Sequence, residues 1–466
     1  MKGYGEGVNE ASMSELPYDR TSKESILYYA MGLEGKTLRE AVGIEAVENP
    51  AVRRGSLGNA VELYYFKFDP NSDPNADFNE AGIELKTTPL KHNKRGDLVS
   101  KERLVLSMIN YANVVDETWE TSSVLKKCSD ILLLFYLYAP DANPVDYEFY
   151  LVELWSIPEE DIPTVRQDWE TVVEKVRQGR AHEISGSDTL YLEACTKAAN
   201  AKVRTRQPYS DIPAKPRAWA LKRSYMTTVS SKLLKAQAIE REEGQRKLPL
   251  LDLVRERFKP YFGKTETELA ERFDLLKPGG RKPKSLGAMI TKRILGVDED
   301  TKILEFEKAG IKTKTMRLRQ SGMPKESVSF PAFDNFKVAE TCFEDSDLCE
   351  QLEQKYLFVI YRESEMDPGR FVLDDVMFWQ MPDDDLPEAK RCYDEMRRRI
   401  RAGEAEKSVR SSENRCCHVR PHGRDSRDTV PTPQGDEVVK RSFWLNQAYL
   451  KDEIERGLEE RDRRCS

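Results

Sequence analysis

Asp77, Glu84 and Lys86 form the pattern D-x6-E-x-K. In a strand, residues two apart face the same side, so Glu84 and Lys86 would project together while Ile83 and Leu85 turn into a core. Asp77, if it lies across the preceding turn, adds a second carboxylate at the same point. Carboxylate and water oxygens suit a hard ion such as Mg²⁺ and leave positions for phosphate and water, with Mn²⁺ expected to substitute. The metal ligands are then Asp77 and Glu84. Lys86 can orient or deprotonate a water and steady charge developing on phosphorus. Glu62, on the preceding helical segment, is a further acid able to bind metal or position that lysine. The chemistry implied is phosphodiester hydrolysis. A charged hairpin without metal competes with it, because a chain that is 33% charged produces such spacings by chance.

An internal repeat bears on that choice. Leu154–Gly179 recurs without a gap as Phe378–Gly403. Gly35-Lys36-Thr37 returns as Gly263-Lys264-Thr265, Ser56-Leu57-Gly58 as Ser285-Leu286-Gly287, and Ala81-Gly82-Ile83 as Ala309-Gly310-Ile311. Cys195 pairs with Cys417, and Lys222–Tyr225 with Lys440–Phe443. A repeat this long is a duplicated domain, not a solenoid. The copy has Thr291 for Glu62, Glu305 for Asp77, Lys312 for Glu84 and Lys314 for Lys86. A lysine in place of the central carboxylate sets positive charge where a cation would bind, so metal is expected to be excluded. One catalytic and one binding-only domain are implied.

The elements that must position these residues follow from periodicity and turn residues. Ser25–Val42 and Leu57–Phe68 read as helices, Asp69–Asn75 as a turn-rich loop and Glu80–Thr88 as a strand. Asp130–Tyr138 and Glu148–Trp155 are apolar strands, and Asp161–Gly179 is a helix with Pro163 near its start and Gly179 at its stop. Lys232–Gly244 reads as a charged helical connector. The order of strands and helices gives an α/β (α+β) class. The division expected is a flexible tail over 1–20, a catalytic domain over 21–231, a helical linker over 232–249, and a degenerate, non-catalytic DNA-binding or effector domain over 250–466.

The chain of 466 residues carries 74 Lys+Arg against 81 Asp+Glu, a net charge of −7, and is long enough for two cores. No apolar run reaches membrane-spanning length, no signal-peptide core precedes residue 20, and the eight cysteines show no CxxC spacing. A bacterial cytoplasmic location is expected. Overall acidity argues against nucleic acid, but Lys197–Ser224 holds eight Lys or Arg and one Asp. Such a run is either a solvated face or a DNA contact.

The first half resembles the MutH family of GATC-specific endonucleases, and the whole chain resembles that family's two-domain restriction enzymes. The matching blocks are GSLGNAVE, EAGIELKTTPLK, SKERLVLSMINY, ETSSVLKK, the DWE of Asp168–Glu170, CTKAANAK, RAWALKRSYMT, CHVRPH and RSFW, spread from about Ser25 to Leu450. The resemblance implies a restriction-endonuclease-like PD-(D/E)xK core duplicated in tandem, Mg²⁺ dependence, and cutting of duplex DNA at GATC. A silent second domain, DNA-induced self-association or looping, and a cognate methyltransferase acting on the same site are also implied. The family's metal-site acids fall on Glu62, Asp77 and Glu84, its active-site lysine on Lys86, and its second catalytic lysine on Lys127, with Lys126 adjacent. Its base-reading loop falls on Cys195–Lys202, and a basic DNA contact falls on Arg54. Lys197 suits guanine O6 and N7, and Asn200 suits adenine N6 and N7. Lys202, Arg204, Arg206, Lys222 and Arg223 suit phosphates. His418 and Arg420 align with the reading loop in the copy. One departure is Ala220, where the family has a DNA-contacting aromatic; Trp219 or Tyr225 is the available substitute.

Two further signals are set aside. Gly35-Lys36-Thr37 lacks the glycine five positions earlier that a phosphate loop needs, since Ala30 stands there. Cys416, Cys417, His418 and His422 have no second ligand pair at zinc spacing, so packing or DNA contact is the better reading. A GATC strand nickase and a catalytically silent DNA-binding protein are the alternatives carried forward.

Overall fold

The computed structural model describes residues 16–43, 57–70, 76–93, 96–198, 202–231 and 236–465. These group into two compact units, one drawn from 1–107 with 120–158, the other from 108–119 with 159–466. The segment 159–231, expected in the first domain, therefore groups with the second copy.

In the first unit the strand Glu84–His92 runs parallel to Ile131–Leu137, which pairs antiparallel with Phe149–Trp155; Leu98–Ser100 completes the sheet beyond Glu84–His92. Ile131 to Phe135 are fully buried, as a central strand beside a parallel partner requires. Lys23–Met31, Leu38–Val42 and Leu57–Ala60 are α-helical, and Val61–Tyr65 continues the last of these as a wide π turn. The single helix expected over Ser25–Val42 is thus two. The first ends at the C-cap Gly32, and Thr37 with Glu40 forms the capping box that opens the second. Tyr18, Tyr65, Phe66 and Phe78 are buried together, and the Tyr18 hydroxyl donates to Phe66 O at 2.7 Å. Packing therefore begins inside the expected tail.

In the second unit, Ile311–Leu318 runs parallel to Lys355–Glu363, which pairs antiparallel with Phe371–Trp379. The central pair bulges at Ile360/Tyr361, and its counterpart in the first unit bulges at Phe135/Tyr136. A second sheet joins Val328–Ala332, Arg441–Leu445 and Cys417–Pro421, while Leu192–Thr196 pairs with Arg217–Leu221. The helices Ile162–Arg177 and Leu386–Arg401 both carry proline in the first turn and end at left-handed glycines, Gly179 (φ +70) and Gly403 (φ +75). Val172, Val173 and Val176 are fully enclosed on the first of them, each contributing about 1.5–3 kcal/mol. The fold is a restriction-endonuclease-like α/β core present twice.

Two expectations are corrected. The connector is not helical where it is described: Ala236–Gln237 pairs in parallel with Lys302–Ile303, and Glu243–Gln245 is a single 3₁₀ turn. The cause is remote, because the buried Glu305 carboxylate accepts the Ile239 N–H at 3.0 and 3.1 Å and holds that segment extended. The C-terminal register also shifts. Leu192 faces Leu221 and Cys417 faces Leu445, so Leu192 matches Cys417, Cys195 matches Arg420, Ala220 matches Trp444, Lys222 matches Asn446, and Tyr225 matches Tyr449. What recurs is RAWAL as RSFWL, a buried strand; the Lys-Arg pair at 440–441 resembled Lys222-Arg223 only in charge.

Candidate active site

Phe78 and Ile83 exchange backbone hydrogen bonds around a tight turn, with Gly82 at φ +70, and this fold-back brings Asp77 beside the strand that starts at Glu84. Asp77 Oδ2 accepts the Leu85 N–H at 2.8 Å. Glu84 is buried at 7% exposure, and both its oxygens are engaged: Lys86 Nζ donates to Oε1 at 2.6 Å and Lys127 Nζ to Oε2 at 2.8 Å. Lys127 arrives on the last turn of Ser123–Lys127, whose N-cap is the buried Ser122. Of the two candidate lysines, Lys127 is the one that reaches Glu84.

Glu62 stands on the π turn. Burial, then the charges of Asp77 and Glu84, push its carboxyl up to about 7 against the lowering effect of Lys86. Asp77 is also raised, mainly by burial, with Glu84 adding and Lys86 and Lys127 opposing. Three acids thus share a partly dry corner that two lysines do not neutralise. Glu62, Asp77, Glu84, Lys86 and Lys127 lie together at this corner; the spacing pointed to Asp77, Glu84 and Lys86, and the family resemblance alone pointed to Lys127.

Among the described residues no three His, Cys, Asp or Glu side chains close as metal ligands. The donor set nonetheless fits a hard divalent ion: oxygen-only ligands, two of them carboxylates from adjoining turn and strand, in a corner where burial above all raises the carboxyls of Glu62 and Asp77 and an added cation would favour their ionised form.

The copy's equivalent corner keeps the lysine, Lys314 for Lys86, and differs at the other positions. Thr291 is fully buried and donates to Gly287 O at 2.9 Å, while Glu305 faces Ile239. Lys312 replaces Glu84, and burial with Lys312's charge depresses Lys314. The strand register puts Leu352, fully buried, in place of Lys127.

The basic segment is only partly on the surface. Lys197, Lys202, Arg204, Arg206 and Arg223 are exposed; Arg223 lies 4.0 Å from Glu350. Arg54 and Asn200 lie outside the described residues. Lys222 is not turned outward as a phosphate contact would be: its ammonium donates inward to Gly186 O at 2.8 Å and Thr189 O at 2.6 Å. Trp219 and Tyr225 are buried at 1% and 0%, so neither offers the aromatic missing at Ala220. His418 is likewise buried, bonded through Nδ1 to Asn446 Oδ1 at 2.6 Å, and burial lowers its pKa, which is the signature of a packed neutral imidazole. Arg420 is exposed and lies 3.6 Å over the Trp444 ring. Sequence reasoning missed Tyr209, 72% exposed at the tip between Thr205–Gln207 and Ser210–Ala214 with φ 62. Asp168, named from the sequence only within a matching block, has a buried carboxylate that accepts N–H groups of Leu190, Tyr191 and Leu192 at 2.7–2.9 Å.

The family model described as "DNA mismatch repair enzyme MutH" matches twice, over residues 66–168 and 297–391, the same part of each repeat. The type II restriction enzyme Sau3AI of Staphylococcus aureus is 34% identical over 93% of this chain and 98% of its own length. The mismatch repair protein MutH of Escherichia coli K12 is 30% identical over 40% of this chain and 80% of its own length; that of Vibrio parahaemolyticus is 29% identical over 37% and 75%. With a two-carboxylate, two-lysine corner in one repeat and likeness to Sau3AI along nearly all of both, this chain belongs to the MutH family, as an enzyme of its type II restriction branch.

Proposed function

We propose that this chain hydrolyses both strands of double-stranded DNA at GATC with Mg²⁺, and that its second copy binds a further GATC site as an effector. The carrying observation is Glu84 clasped between Lys86 and Lys127 beside Asp77 and Glu62, against Lys312, Lys314, Thr291 and Leu352 in the copy. A divalent ion held by Asp77 and Glu84 would polarise the scissile phosphate and acidify a water, with Mn²⁺ able to replace Mg²⁺. Lys86 and Lys127 supply positive charge from two separate elements, which suits charge growing on the phosphoryl oxygens. Glu62, with a carboxyl near pH 7, can take up a proton at working pH. Exposed Lys197, Lys202, Arg204 and Arg223 supply the contacts to base edges and phosphates, together with Arg54 and Asn200. In the copy Arg420 on Trp444 fills that role.

Digestion of unmethylated plasmid with Mg²⁺, followed by end sequencing, tests the reading. Double-strand ends within or beside GATC are expected, and Glu84→Ala should abolish them. Nicks alone would support the strand-nickase alternative, and retained cutting by Glu84→Ala would refute the site. For the effector role, two-site plasmids should be cut faster than one-site plasmids.

A further inference from the structure

Two lysines of the second copy are buried against residues of the first half that hold the flanks of its basic arm. Lys308 Nζ donates to Asp161 Oδ2 at 2.6 Å, with 10% and 2% of the side chains exposed, and the same oxygen accepts the Tyr225 hydroxyl at 2.7 Å. Lys355 Nζ donates to Ser187 O and Thr189 O, both at 2.7 Å, sharing Thr189 O with Lys222. The contacts thus fall on both flanks of the basic arm: Lys355 at the turn before Leu192–Thr196, and Lys308, through Asp161, on Tyr225 of the helix Arg223–Val229.

The duplication shows why the grip comes from outside. In the copy the same aspartate–tyrosine pair recurs, Tyr449 donating to Asp385 at 2.9 Å, and there the cation is the copy's own Arg415. The register puts Leu190 at the place of Arg415, so the first half has no cation of its own there and takes Lys308. Likewise Asn446, in place of Lys222, ties its turn by donating to Asn414 O and Arg415 O at 2.7 and 2.9 Å, with no lysine added from elsewhere in what is described. Where the copy has Lys308 and Lys355, the first half has Glu80 and Asp130. Charge has reversed at the two positions that reach the arm's flanks. Gly310, beside Lys308, lets the backbones approach, since a Cβ there would lie 3.1 Å from Ser224 Cβ. A buried ion pair adds little net stability compared with an apolar pair of similar size, whereas it fixes geometry and is costly to half-remove.

We propose that Lys308 and Lys355 are positioning residues for DNA recognition: through Asp161–Tyr225 and the Gly186–Thr189 turn, the silent copy holds the first half's basic arm in its binding arrangement. The proposal rests on the DNA-cutting reading above. It gives the second copy a task that needs no DNA of its own.

The test uses full-length Lys308→Met and Lys355→Met with Mg²⁺ and a GATC duplex. KM is expected to rise about tenfold while kcat changes less than about twofold. Lys308→Arg should recover most of the loss, and Asp161→Asn combined with Lys308→Met should cost less than the two separately. Without DNA, hydrogen exchange should quicken at 186–192 and 223–229 and nowhere else. Folded variants with wild-type KM would overturn the proposal. So would an equal fall in kcat with faster exchange throughout, which marks a purely structural role. A wild-type chain that fails to cut GATC would defeat the function proposed above, leaving the exchange pattern to decide this inference separately.

Discussion

At the scale of single residues, the account turns on who reaches Glu84. Lys127 does, at 2.8 Å, whereas the bonds of its neighbour Lys126 are made by its backbone, to Ser122 and Ser129. Lys127→Met should slow single-turnover cleavage by roughly 10²–10⁴-fold, while Lys126→Met stays near wild type. The raised carboxyl of Glu62 has a definite sign in stability. Its folded pKa of about 7 lies above the ordinary glutamate value of 4.5, so the folded chain binds this proton more tightly than the unfolded one. The stability it contributes is full below about 4.5 and is lost as pH rises through about 7. Thermal melts of Glu62→Gln should lack that decline relative to wild type; equal slopes would contradict the assignment. Divalent metal at pH 7 should release a proton from wild type and less from Glu62→Gln.

At the scale of elements, the two helices Ile162–Arg177 and Leu386–Arg401 offer a paired test. Both end at a left-handed glycine, but a Cβ at Gly179 would sit 2.5 Å from Tyr209 O, whereas at Gly403 it would meet only Gln434 at 3.6 Å. Gly403→Ala should cost about 1–2 kcal/mol, the left-handed strain alone, and Gly179→Ala distinctly more, read by thermal melting. These helices and the central strands were legible in the sequence, because Ile131–Phe135 and the Val165–Val176 face are apolar at the proper period. The convergence of Asp77, Glu84 and Lys86 was legible too, since a turn and a strand of alternate residues determine it locally. Other features were not. The connector's charges read as helix, yet its extension comes from Glu305, many residues away. Lys222 read as a phosphate contact because charge is visible in a sequence while the carbonyls of Gly186 and Thr189 that receive it are not. The same blindness hid Lys308 and Lys355, whose partners lie in the other half of the chain.

At the scale of the whole molecule, the two repeats carry different charges at matching positions. One repeat keeps acids around a lysine pair; the other has exchanged acids for lysines at 308, 312 and 355, where the first has Glu80, Glu84 and Asp130. The exchange at 312 removes the carboxylate proposed above to hold a metal ion, and the other two supply the contacts to Asp161 and the Gly186–Thr189 turn. Cleavage of two-site plasmids should exceed that of one-site plasmids, and an added GATC oligonucleotide should narrow the gap; identical rates would remove the effector role. Among the described residues no helix is long and apolar enough to cross a membrane. On the function proposed above, the first repeat and not the second holds a divalent ion beside DNA, and a crystal soaked in Mn²⁺ and mapped by anomalous diffraction would show where the ion sits. A peak bounded by Asp77 and Glu84, absent near Lys312 and Lys314, is the result expected; a peak at the second repeat, or none at the first, would contradict it.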